Sequence, residues 1–112
     1  MHVFVAAVAA ADDYDPKNVM DGLTDTEFDY YTELEDDTVV DGVNLSEVHN
    51  VGDLRRISAE KLVPILHGIC VYRKMYGNPF CLYTLDQEKE LYDKVLSAYD
   101  DDVAVRVFDV HI

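Results

Sequence analysis

The chain opens on an apolar run that does not alternate. In His2–Ala10 (HVFVAAVAA), Val3, Phe4, Val5 and Val8 stand among alanines with no polar residue between them. Such a run fits a strand covered on both faces. It is too short to span a bilayer, and no Lys or Arg precedes it as a secretory signal requires. Three aspartates, Asp12, Asp13 and Asp15, end it. Asp15-Pro16 joins a good N-cap to a good first helical residue, and Gly22 suits the position after a helix, so Pro16–Asp21 reads as a short helix. At the far end, Val103–Ile112 (VAVRVFDVHI) is rich in β-branched residues and predicts a strand pairing near the first.

Residues 24–49 admit two readings. Thr24-x-x-Glu27 has the form of a capping box opening a helix. Against that, Phe28-Asp29-Tyr30-Tyr31-Thr32 favours strand and Asp36-Asp37 a turn. Val39-Val40-Asp41-Gly42-Val43 adds a hairpin signal, because Asp-Gly supplies the positive φ of a type I′ turn. The balance predicts two or three antiparallel strands. Asp53–Ile57 reads as a short turn of helix. Ser58–Tyr76 carries Leu62, Ile65, Leu66, Ile69, Tyr72 and Tyr76 at helical spacing, with Gly77-Asn78-Pro79 as a stop; Pro64 predicts a kink or a delayed start. Thr84-x-x-Gln87 predicts a helix to about Tyr99, with Leu91, Val95, Leu96 and Tyr99 inward. The expected architecture is α+β in a single domain over 1–112. It has a small mixed or antiparallel sheet of about four to five strands, with the N- and C-terminal strands central. Two main helices, 58–76 and 85–99, pack on one face.

Charge changes the picture. The chain carries 23 acidic and 9 basic residues, a formal charge of −14. Residues 1–50 hold 13 acids and one base, Lys17, whereas 51–112 hold 10 acids and 8 bases. Direct nucleic-acid or anionic-membrane binding is disfavoured, since both need clustered cations. A basic partner is favoured, because opposite charge steers encounter. The belt comprises Asp12, Asp13, Asp15, Asp21, Asp25, Glu27, Asp29, Glu33, Glu35, Asp36, Asp37 and Asp41, with Tyr14, Phe28, Tyr30 and Tyr31 interleaved. On a strand, Asp25, Glu27 and Asp29 would form a row about 6.6 Å apart, and the tyrosines, Tyr30 and Tyr31 among them, would add contact area.

Other chemistry is weaker in the residues. Acidic runs most often only solubilise, but one lysine among the belt carboxylates leaves their self-repulsion uncompensated. High-salt adaptation would spread acid over both halves, which the near-neutral C-terminal half does not do. Asp13-x-Asp15 resembles the start of a calcium loop, yet Lys17 holds the next ligand position and the glycine is missing. His67 and Cys70, at helical i,i+3 spacing, together with His49 and Cys81 elsewhere, offer zinc-ligand atoms outside any usual zinc spacing. No GxSxG, P-loop, HExxH or GxGxxG occurs. The expectation is a non-enzymatic protein without cofactor or metal. The two cysteines, Cys70 and Cys81, read as reduced thiols of a cytoplasmic protein. Arg55-Arg56, Lys61 and Arg73-Lys74 form the basic cluster. They suit helix solvation, or self-association into a homodimer, basic face on acidic face.

In charge and size the chain resembles the small acidic DNA-mimic inhibitors that phages use against restriction, CRISPR and repair enzymes. The resemblance implies an inhibitor occupying the nucleic-acid groove of a basic, nucleic-acid-binding protein, a viral origin and a place in the host cytoplasm. It rests on no aligned motif, so it transfers no residue roles. The alternative is an adaptor or assembly subunit whose acidity is incidental.

Overall fold

The His2–Ala10 run becomes the strand around which the rest is laid. The computed structural model describes residues 1–11, 14–73, 80–83 and 97–112. In chain order these form β1 (His2–Ala10), α1 (Pro16–Leu23), β2 (Tyr30–Glu33), β3 (Val39–Val40), β4 (Val43–Asn44), a 3-10 turn at Leu45–Glu47, α2 (Val51–Arg56), α3 (Ala59–Ile65), β5 (Leu66–Arg73), β6 (Phe80–Tyr83) and β7 (Ala104–His111). Five strands make one mixed sheet in the order β2-β7-β1-β5-β6. β1 runs parallel to β5 and antiparallel to β7, with Val5 opposite Phe108 on one side and Gly68 on the other. β2 and β6 are its antiparallel edges. The α+β class and the central place of the terminal strands are as the sequence predicts.

Both sides of the sheet are packed. Val5, Ala7 and Ala9 face α1 and meet Val19, Met20, Leu23, Phe28, Phe108 and Val110. Ala6 and Val8 face the other way, with Val43, Leu45, Val51, Leu54, Leu62, Val105 and Val107. Val5 through Ala9 are consequently at most 4% exposed. Alternation is absent from the sequence because neither face of the strand meets water. Alanine at positions 6, 7 and 9 keeps the layers close, and each fully buried Val or Leu adds about 1.5–3 kcal/mol.

Local signals set the short elements. Asp15 caps α1: its Oδ1 accepts from the N–H of Lys17 at 2.8 Å and of Asn18 at 3.3 Å, and Asn18 Oδ1 accepts from the Asp15 N–H. The helix runs past Gly22 to Leu23 and ends with Thr24 as its C-cap. Thr24 therefore closes a helix and does not open one, and Asp25–Glu27 form a turn before β2. Asp41 (φ 50°) and Gly42 (φ 80°) join β3 to β4, the two positive φ values a type I′ turn needs. Asp36-Asp37 is a turn, with Asp37 at φ 59°.

Two expectations are corrected. The helix predicted over 58–76 stops at Ile65, one residue past Pro64, and Leu66–Arg73 is a central strand. Its apolar residues satisfied both periods, and a strand buried on both faces cannot be told from a buried helix by spacing alone. The valine, isoleucine and aromatic content of LHGICVYR is compatible with a strand, and pairing with β1 settles it. Helices also lie on both faces, α1 opposite α2 and α3, and not on one. The helix predicted over 85–99 falls outside the described residues except at Ser97–Tyr99, where half-buried Tyr99 packs on the larger core. Among the described residues no helix is long and apolar enough to cross a membrane.

Two stability measurements check this packing. Leu66, 1% exposed beneath α3, should lose about 2–5 kcal/mol of unfolding free energy on Leu66→Ala. Gly42→Ala should cost about 1 kcal/mol although open space surrounds the new methyl, because φ of +80° penalises any Cβ. Equal denaturation midpoints for Gly42→Ala and the parent would contradict the turn.

Candidate functional site

The belt residues divide by element. Asp12 and Asp13 lie outside the described residues. Asp15 and Asp21 ride on α1; Asp25, Glu27 and Asp29 sit in the connection to β2; Glu33 ends β2; Glu35, Asp36, Asp37 and Asp41 belong to the turns around the β3–β4 hairpin. All ten are exposed. α1 covers one sheet face, and the segment after β2 crosses to the other, where Leu34, Val40 and Val43 pack. The carboxylates therefore lie toward both faces of the sheet, with Asp21, Asp29 and Glu33 beside β2. The row expected for Asp25, Glu27 and Asp29 does not form, because these residues precede the strand and Asp25 turns the chain at φ 68°. Only an extended strand would have spaced them at i,i+2 on one face.

Several carboxylates already do structural work. Asp15 is the α1 cap. Glu33 Oε1 accepts from Arg106 Nη1 at 2.8 Å across the β2–β7 pair. Asp37 accepts from Asn44 Nδ2 at 3.4 Å, and its N–H donates to Ser46 Oγ at 3.0 Å. Asp21 accepts from the Tyr31 hydroxyl. Tyr31 points inward, edge-on to Phe28 and Phe108 with centroids 6.4 and 5.3 Å away. Burial first, then the Asp21 hydrogen bond and the surrounding carboxylates, push its phenol up to about 12. It acts as a buckle between α1 and β2, a packing role that the sequence reading did not assign to it.

Tyr30 is different. It is 48% exposed and stands on the opposite face of β2. Cross-strand register sets Tyr30 opposite His111, and His111 opposite His2. The Tyr30 and His111 rings stack at 5.0 Å and 1°, and His2 meets His111 at 5.1 Å edge-on. Each imidazole is held by a carboxylate: His2 Nδ1 to Asp109 at 2.8 Å, His111 Nδ1 to Asp29 at 3.0 Å. Exposed Met1 and Ile112 lie beside them, joined by a 2.9 Å backbone bond. Sequence reading missed His2, His111 and Asp109. Antiparallel pairing of two terminal strands of similar length was the available signal, since it brings residue 2 against residue 111.

Other candidates resolve as follows. Cys70 is disulfide-bonded, and its register partner across β5–β6 is Cys81. Cys70 is therefore not free, which corrects the reduced-thiol expectation for that residue. On a strand, His67 and Cys70 fall on opposite faces, so the zinc pairing imagined on a helix is lost. No group of three or more His, Cys, Asp or Glu is placed to hold a metal among the described residues. One depression of about 480 Å³, between the β3–β4 hairpin and the α2–α3 junction, includes Arg56 with its partner Asp53 at 2.7 Å, and Lys61. A second, of about 220 Å³, brings Ser46 and His49 near the Glu33–Arg106 pair, but the Ser46 hydroxyl is bound to Asn44 Oδ1.

The Tyr31 buckle makes an alkaline prediction. A raised phenol contributes stability that is complete below pH 10 and is lost as pH climbs toward about 12. Denaturant midpoints should fall over that window in the parent and fall less in Tyr31→Phe, with parallel curves contradicting the assignment. Compared with known proteins, the chain matches no family model, no curated protein and no solved structure.

Proposed function

We propose that this is a non-enzymatic binding protein that presents the β2 edge to a basic surface, the nucleic-acid groove of a partner, and inhibits by occupying it. One observation carries the reading: all ten described belt carboxylates between Asp15 and Asp41 are exposed, and Asp21, Asp29 and Glu33 are bound to side chains of β2 and its neighbour β7 or project from β2 itself. A duplex carries one negative charge per about 1.7 Å, and a cationic groove answers a comparable anion on a rigid body. The belt is tied down at several points, through the Asp15 cap, the Tyr31–Asp21 bond and the Glu33–Arg106 pair. A viral, anti-defence role and a cytoplasmic site belong to the same proposal. The bridged Cys70 counts against the cytoplasm, where thiols are kept reduced.

A second reading, an adaptor whose acidity is incidental, draws on exposed Met1, Tyr30 and Ile112 at one sheet end. Salt separates the two, since screening weakens contacts between exposed charges and leaves apolar contacts intact.

The experiment is capture of nucleic-acid-binding proteins on the immobilised chain, with duplex DNA as competitor. Binding should fall steeply with salt, yield to DNA, and drop severalfold in the triple variant Asp25→Asn, Glu27→Gln, Asp29→Asn, whose melting should stay near the parent's. Capture that ignores salt, DNA and the triple variant alike would favour the adaptor.

A further inference from the structure

β2 is an edge strand: it pairs with β7 on one side and with no strand on the other among the described residues. Natural edges are blunted by shortness and charge so that they do not recruit further strands at random. β2 is four residues long, preceded by Asp29 and ended by Glu33, which repels acidic or identical strands and admits basic ones. Tyr30 and Thr32 share its outward face, and Tyr30 is the aromatic one. Both ring contacts of Tyr30, His111 and His2, come from strands on its inner side. The β2–β7–β1 row of rings thus ends on a tyrosine, 48% exposed, at the sheet margin.

We infer that the β2 edge is a docking strand for an extended, arginine-bearing segment of the partner, with a guanidinium laid on the Tyr30 ring. The inference rests on the proposed function and names the chemistry of its partner. A strand added at an edge stands about 4.8 Å away, so its residue opposite Tyr30 falls at the next place in the ring row. Arginine fits that place better than lysine, because its planar, weakly hydrated cation stacks on aromatic faces and forks onto carboxylates. The carboxylates are at hand. Asp29 adjoins Tyr30 and engages His111 through Oδ2, and Asp109, on the neighbouring strand, engages His2 through Oδ1. Each leaves its other oxygen to accept one guanidinium N–H.

The test uses the full chain and two synthetic peptides, one alternating arginine with threonine and one alternating lysine with threonine. The arginine peptide should bind about two- to fivefold tighter. Tyr30→Leu should erase that preference and leave the lysine peptide unchanged, while Tyr30→Phe should keep it. Binding should slow hydrogen exchange of amides within β2. Equal affinity for the two peptides, or a preference that survives Tyr30→Leu, would overturn the docking strand and leave the basic-partner proposal standing. Failure of both peptides to bind at low salt would overturn both.

Discussion

A strand with no polar face has to be enclosed. β1 presents Val5, Ala7 and Ala9 to one side and Ala6 and Val8 to the other, and the chain supplies a cover for each. α1 closes the first side; the hairpin, α2 and α3 close the second. Because β1 takes β7 and β5 as neighbours, the remaining strands are forced to the margins. Hydrophobic burial at the centre is thus what sends β2, and the acidic segments on either side of it, to an edge.

Concentrating carboxylates at that edge has a cost in self-repulsion, and the fold offsets part of it locally. An aspartate at α1's N-terminus meets orphan N–H groups. Another accepts the hydroxyl of a tyrosine wedged against Phe28 and Phe108, and a third is matched by His111. These contacts join acidic residues to the apolar core, and so hold the belt to the sheet. The same arrangement splits two adjacent tyrosines between two tasks. Strand geometry points Tyr31 into the core and Tyr30 away from it, and the period of two leaves no alternative.

The described cavities and polar groups add no comparable concentration of chemistry. The Arg56–Asp53 pair lines an open depression, and the Ser46 hydroxyl is held in the hairpin. The sheet end differs because three strands contribute to it at once, with two imidazoles, two carboxylates and a phenol in register. No single segment of the chain contains that group of residues.

The sequence by itself determined the elements whose signals are local. An unbroken apolar run gave a buried strand, Asp-Pro gave the start of α1, and Asp-Gly gave the β3–β4 turn, because each depends on backbone sterics or neighbouring hydrogen bonds within a few residues. It also determined that charge is lopsided. Only the tertiary structure decided that Leu66–Arg73 is a strand, since its spacing satisfied either period and pairing with β1 tipped the choice. Only the tertiary structure turned the belt into an edge and set Tyr30, His111 and His2 side by side. Those relations link residues roughly eighty to a hundred and ten positions apart through sheet register, which no local pattern encodes.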